Sequence, residues 1–177
     1  MFFESTDFDF KILCVLKDNR PYCLGNSGNR PFYALSFRIE GDAVFESKGI
    51  SIKAQSGDLM LCPKDCAYNI DGGKETLIIV HFDTNAKLPE SLKKLSVSNP
   101  EIFERDFSRL YSAWSSKHIG FEHECKYILY KIFMNMERQT AEISNNTDRV
   151  SNAIDYIHEQ FCDKDISISH LAKLCSM

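Results

Sequence analysis

The chain has 177 residues, of which 44% are hydrophobic, 12% aromatic and 26% charged, with a formal charge of −4. That length fits one domain with a small addition, and it can bury a core without a metal or a disulfide. The composition excludes a disordered chain, no apolar run approaches the ~20 residues of a membrane-spanning helix, and the acidic balance argues against coating nucleic acid. The start, Met1-Phe2-Phe3-Glu4-Ser5-Thr6-Asp7, has no basic segment before an apolar one. No secretory signal is expected, and the chain reads as cytoplasmic with no membrane partner. The cysteines Cys14, Cys23, Cys62, Cys66, Cys125, Cys162 and Cys175 are odd in number and scattered. Reduced thiols fit this better than a disulfide framework. The close pair Cys62 and Cys66 lacks the second pair that a zinc site needs.

Residues 8–83 read as strands. Phe8, Phe10, Ile12, Cys14 and Leu16 alternate with polar residues, although Leu13 and Val15 blur the second face. Tyr33, Leu35, Phe37 and Ile39 alternate with Ser36, Arg38 and Glu40, which puts Arg38 on a solvated face. Ile50, Ile52 and Ala54 repeat the pattern. Residues 76–82 are apolar on both faces, as in a strand covered on both sides. Turns are expected at Gly25-Asn26-Ser27-Gly28-Asn29, Glu40-Gly41-Asp42, Ser56-Gly57-Asp58 and Asp71-Gly72-Gly73-Lys74. Short strands so spaced indicate a sandwich or barrel.

From Asn99 the period becomes helical. Asn99-Pro100-Glu101 reads as N-cap, first helical residue and acidic first turn. Ile102, Phe103, Phe107, Leu110, Tyr111 and Trp114 form one face. After Gly120 a longer face follows: Phe121, Cys125, Ile128, Leu129, Ile132, Phe133, Met136 and Ile143. Ser144-Asn145-Asn146-Thr147-Asp148 reads as a linker. A third helix then carries Val150, Ala153, Ile154, Ile157 and Phe161. Ser167 caps a last one with Leu171, Ala172 and Leu174.

Two stretches are more specific than periodicity. One is Ser56-Gly57-Asp58-Leu59-Met60-Leu61-Cys62-Pro63, a polar turn, then Leu77-Ile78-Ile79-Val80-His81-Phe82-Asp83, preceded by Asn29-Arg30-Pro31 and the strand at 32–39. The other is Ala153-Ile154-Asp155-Tyr156-Ile157, a short turn, and Ile166-Ser167-Ile168-Ser169-His170-Leu171-Ala172, then Ser176. The first resembles the N-terminal cupin barrel of AraC-type transcriptional regulators, and the second resembles the start of their DNA-binding domain. Together they span nearly the whole chain. The resemblance implies a mainly β fold, a cupin-like β-barrel (jelly roll) followed by α-helices. It divides the chain into an effector-binding barrel at 1–86, a helical dimerisation and connector region at 87–144, and a linker with an incomplete first helix-turn-helix at 145–177. Under this reading the sequence stops before a recognition helix, so DNA is expected to be contacted only through a further C-terminal part. From residue 149 onward, Arg149, Lys164 and Lys173 face Asp155, Glu159, Asp163 and Asp165, in keeping with that expectation.

The implied function is effector sensing for transcription control, with a small molecule, a carbohydrate or related metabolite, in the barrel. The resemblance to a sugar-sensing member places Arg30 at a sugar-contacting arginine. It also places Tyr68, Ile70, Leu77, Ile79 and His81 on the strands that line the pocket. Leu77 and Ile79 stand where that member has a histidine and an aromatic platform, so arabinose itself is not expected. Each residue also has a plainer reading: Arg30 on a surface turn, Tyr68 at the core edge, His81 as a satisfied barrel histidine. The helices after the barrel make the family's dimer contact, which implies a homodimer through Phe121, Ile128, Leu129, Ile132 and Met136. The same stripe could instead pack on its own 102–114 helix. No cofactor is expected. A metal-dependent cupin enzyme would need an H-x-H pair, a glutamate and a further histidine; residues 37–47 hold no histidine, and His81 is the barrel's one imidazole. His118, His123, His158 and His170 read as surface groups. The other alternative is a stand-alone dimerisation partner of a full-length regulator.

Overall fold

The computed structural model describes residues 8–160, with side chains described to residue 141. Nine strands come first: β1 Phe10–Arg20, β2 Cys23–Ser27, β3 Tyr33–Glu40, β4 Asp42–Ser47, β5 Ile50–Gln55, β6 Asp58–Cys62, β7 Tyr68–Gly72, β8 Glu75–Thr84 and β9 Lys93–Ser96. Helices α1 Pro100–Ser116 and α2 Phe121–Gln160 follow. One antiparallel sheet has the order β1-β8-β3-β6-β9, and the other has the order β2-β7-β4-β5. Apart from the β4–β5 hairpin and the added edge strand β9, successive strands alternate between the sheets, in the order of a jelly roll. The expected mainly β fold followed by helices is therefore the observed one.

Two details of the strands differ from the sequence pattern, each for a physical reason. The register of β1 against β8 shifts between Ile12 and Cys14, so Leu13 is an extra residue. Such a bulge reverses which alternate residues point inward. Phe10 faces the helical side before the bulge and Val15 after it, while Cys14 and Leu16 turn to the other side. The blurred alternation is the mark of that switch. The stretch 23–27, expected in part as a turn, is an edge strand paired with β7. Of the expected turns, Gly41 and Gly57 adopt φ of 89°. A Cβ at Gly41 would lie 2.2 Å from the Lys74 carbonyl oxygen, so this position needs glycine. The β4–β5 hairpin turns on Lys48 and Gly49, both at positive φ as a two-residue type I′ turn demands.

The helical side of the five-stranded sheet holds the main core. Leu35, Phe37, Leu59, Leu61, Ile78, Val80 and Phe82 meet Phe103, Phe107, Leu110, Ile128, Leu129, Ile132 and Phe133. Phe10 stacks on Phe133 at 5.0 Å, and Phe37 on Phe107 at 5.8 Å. Each such side chain contributes about 1.5–3 kcal/mol through burial. Asn99 caps α1 and Pro100 opens it, as the sequence indicates, although the Asn99 side chain makes no capping hydrogen bond. Lys131 reaches from α2 to the buried Asp106 of α1 at 2.7 Å.

This packing corrects the proposed dimer residues. Ile128 and Met136 are 1% exposed, and Leu129 and Ile132 are fully buried. Phe121 is partly buried against the core and packs edge-on against Trp114 at 5.7 Å. These side chains fill the protomer's own interior and have little or no surface to give a second copy. The alternative reading of the stripe, packing within the chain, is the observed one. The expected linker at 144–148 is also corrected, since α2 runs unbroken to Gln160. By compactness the chain divides at Met136, and the helical residues from Glu137 belong to a separate unit. The expected last helix, with Ser167 and Leu171, lies outside the described residues.

Candidate functional site

The space between the two sheets is lined by one face of each. Cross-strand partners share a face, so the pairings Cys14↔His81↔Ala34↔Cys62 and Leu16↔Ile79↔Ser36↔Met60 mark two inward rows. Ile52, Tyr68 and Ile70 approach from the other sheet and join Phe45 and Met60 in a second, smaller core.

Charged residues occupy this space at both ends. At the β8 N-terminal end, the fully buried Glu75 side chain bonds the Arg38 guanidinium, and its other oxygen lies 3.5 Å from Arg20. Arg20 also bonds Asp18, and it reaches across to the Cys23 sulfur of the other sheet at 3.4 Å. The expectation that Arg38 faces solvent is corrected: it is 4% exposed. Its alternation with apolar residues is real, but the face it shares is the one between the sheets, where Glu75 neutralises it.

At the other end stands Arg30, half-buried, just before β3. Its guanidinium donates to the Tyr68 hydroxyl and lies 5.3 Å from the centre of the Tyr68 ring and 5.9 Å from that of Phe32. The Phe32 ring is 4.7 Å from the His81 ring, and His81 Nδ1 is 3.1 Å from Cys14 Sγ. Backbone geometry fixes the approach, because the Asp65 amide donates to the Arg30 carbonyl at 2.8 Å. The titratable neighbours are neutral near pH 7. Burial, and then the Cys62 sulfur, pushes the Tyr68 phenol far above its usual value, with Arg30 partly opposing. Burial first, then Arg30, lowers the His81 imidazole. Burial raises the Cys14 thiol, and it pushes Cys62 to about 11.

Of the residues expected at the site, Arg30, Tyr68 and His81 come together, and Ile70 and Ile79 line the adjoining apolar wall. Leu77 shares the inward face but pairs with Asp18 and Arg38 toward the far end. Phe32 and Cys14 belong to the site and were not anticipated. Phe32 sits two residues after Arg30, a spacing that could have marked it. Cys14 was hidden by the bulge. A separate small recess lies at Ser47, Ile50, Ile52, Cys66 and Leu92, and it contains none of the Arg30 group. Among the described residues, no group of three or more His, Cys, Asp and Glu is arranged to hold a metal ion. No described helix is long and apolar enough to cross a membrane.

No protein-family model matches the chain, and no curated protein sequence does. Solved structures do match. The chain is similar in fold to the AraC-like transcriptional activator CuxR, with a TM-score of 0.51. The identity is 7%, and the match covers 92% of this chain and 66% of CuxR, so the likeness is one of fold. The chain thus spans just under two thirds of that protein's length. Shorter matches include a mannose-6-phosphate isomerase assignment from Ralstonia eutropha, with TM-score 0.36 and 15% identity over 46% of this chain and 89% of that one. A cupin-2 domain protein from Shewanella frigidimarina matches with TM-score 0.30 and 17% identity over 48% and 74%. At such scores neither bears on function.

Proposed function

We propose that this chain is the effector-sensing part of an AraC-type transcription regulator, and that a small molecule binds at the Arg30 end of the space between the sheets. The observation that carries this reading is the convergence of Arg30, Tyr68 and His81 with Phe32 beside an apolar wall. A few convergent polar groups on an apolar lining are the usual make-up of a small-ligand site. The likeness of fold to an AraC-like activator supports the regulatory half of the reading. A carbohydrate or related metabolite is the effector class. In mechanism, the effector favours one arrangement of the sheets and helices over another, and that differential affinity changes how DNA-binding domains are presented. Homodimerisation is part of the same proposal, carried by surface side chains and not by the buried stripe of α2.

An enzymatic reading has less support. One imidazole, two thiols (Cys14 and Cys62) and a phenol beside a guanidinium make a poor donor set for iron or manganese. Stoichiometric Fe, Mn or Ni in the purified protein would overturn the sensor reading. The direct test is a thermal-shift screen of sugars, sugar acids and sugar phosphates, with Arg30→Ala alongside. Compounds that stabilise the native chain and not the variant are expected; hits indifferent to the substitution would reject Arg30 as the anchor.

A further inference from the structure

Arg30 differs from the other arginines that the fold encloses. Arg20 and Arg38, also drawn between the sheets, are both paired with carboxylates, Asp18 and Glu75. Arg30 is half-buried and has no carboxylate within ion-pair distance among the described residues; its side-chain partners are the Tyr68 hydroxyl and two aromatic rings. Asp65 meets it through a backbone hydrogen bond, its amide donating to the Arg30 carbonyl. A guanidinium has five N–H donors in a rigid fork, and the Tyr68 contact occupies one side of it. The guanidinium is planar by its own bonding, and the two ring centres lie 5.3 and 5.9 Å from it, which limits the ordering cost when a planar partner docks. The groups around it, His81, Tyr68, Cys14 and Cys62, supply polar atoms but no compensating negative charge. A partly desolvated cation gains most from an anion that accepts two of its hydrogen bonds.

We infer that the effector is a small organic anion, a carboxylate or phosphate ester whose acidic group docks on Arg30 and whose body lies against Phe32, Ile70 and Ile79. The inference rests on the sensor reading and narrows it from carbohydrates in general to acidic ones. The Tyr68 hydroxyl, bonded to Arg30, is in reach of the same acidic group, and Phe32, packed against His81, gives an apolar contact beside it. A neutral sugar would leave the Arg30 charge uncompensated.

The test uses the full chain and four probes: glucose, gluconate, glucose 6-phosphate and inorganic phosphate. Binding is measured by calorimetry at low and at high salt. At least one anion is expected to bind more tightly than glucose, with affinity that falls as salt rises. Arg30→Gln keeps a planar hydrogen-bonding head group, on a shorter side chain, without the charge. It is expected to weaken anion binding about ten-fold or more, and Arg30→Lys to weaken it less. Binding of glucose as tight as that of the anions overturns the inference and leaves the sensor reading standing. Anion binding that Arg30→Gln does not change also overturns it, because the anion then sits elsewhere. If no anion binds, the inference fails. If the wider screen of neutral compounds is empty too, the sensor reading fails with it. Should Arg30→Gln fold poorly, salt dependence in the native chain and the Arg30→Lys variant still decide between these outcomes.

Discussion

Both ends of the space between the sheets hold arginine, and they do opposite things with it. At the N-terminal end of β8, Arg20, Arg38, Asp18 and Glu75 set two cations against two carboxylates, and Glu75 is fully enclosed. At the other end, about 20 Å along the strand at ~3.3 Å per residue, Arg30 stands among rings, thiols and a neutral imidazole. At the first end the charges are matched within the chain. The second leaves a charge for something else to meet. The comparison teaches that a buried or half-buried arginine is informative chiefly through what it lacks.

The largest effect that would test this contrast lies at the closed end. Glu75→Gln strips Arg38 of its counter-charge in a buried setting, and is expected to cost about 3–5 kcal/mol of stability. Urea unfolding measures it, and a cost under about 1 kcal/mol would mean the four charges are not a closed unit. Replacing both partners sharpens the point. Arg38→Met combined with Glu75→Leu removes the charges together and leaves Arg20 on Asp18. It is expected to lie within about 2 kcal/mol of the native chain, because a buried pair is easier to replace than to halve.

At the open end, loss of charge is expected to matter far less to folding. Arg30→Gln is expected to shift stability by less than about 1 kcal/mol in thermal unfolding, while weakening anion binding about ten-fold or more. A large loss of stability would make Arg30 a structural residue and erase the contrast. The smallest effect concerns pH. His81 is held below its ordinary value by burial and by Arg30, so the unfolded chain takes up the proton first. The stability this residue contributes is therefore complete above about pH 6.5, the ordinary histidine value. It is lost as pH falls from there through the lower folded value. In His81→Gln, the pH dependence of the melting temperature over that window should flatten. If native and variant curves stay parallel, His81 does not titrate as the geometry requires.

Much of the fold could be read from the residues. Alternation in 33–39 and 50–54, the doubly apolar run of β8 and the Asn99-Pro100 start of α1 all appear where their local patterns place them. Local patterns carry this information because side-chain direction repeats every two residues in a strand and every 3.6 in a helix. Two of the misses share one cause. Period says that a face is apolar or mixed, but not what covers it. Arg38 lies on a mixed face that meets another sheet instead of water. Leu129 and Ile132 lie on an apolar face that meets their own sheet instead of a second copy. The polar run at 144–148 continues as helix where its composition signals a break.

The site divides in the same way. By itself the sequence determined the strand-rich architecture and the helices that follow it, because these depend on residue type and spacing along one segment, and its resemblance to AraC-type regulators marked Arg30, Tyr68 and His81 as residues worth watching. The tertiary structure decided their company. It brought Phe32 and Cys14 to His81, moved Leu77 toward the far end, paired Glu75 with Arg38 and left Arg30 without a carboxylate. Those facts depend on which strands become neighbours and on a one-residue bulge that turns a face over, and neither is a property of any single stretch of chain.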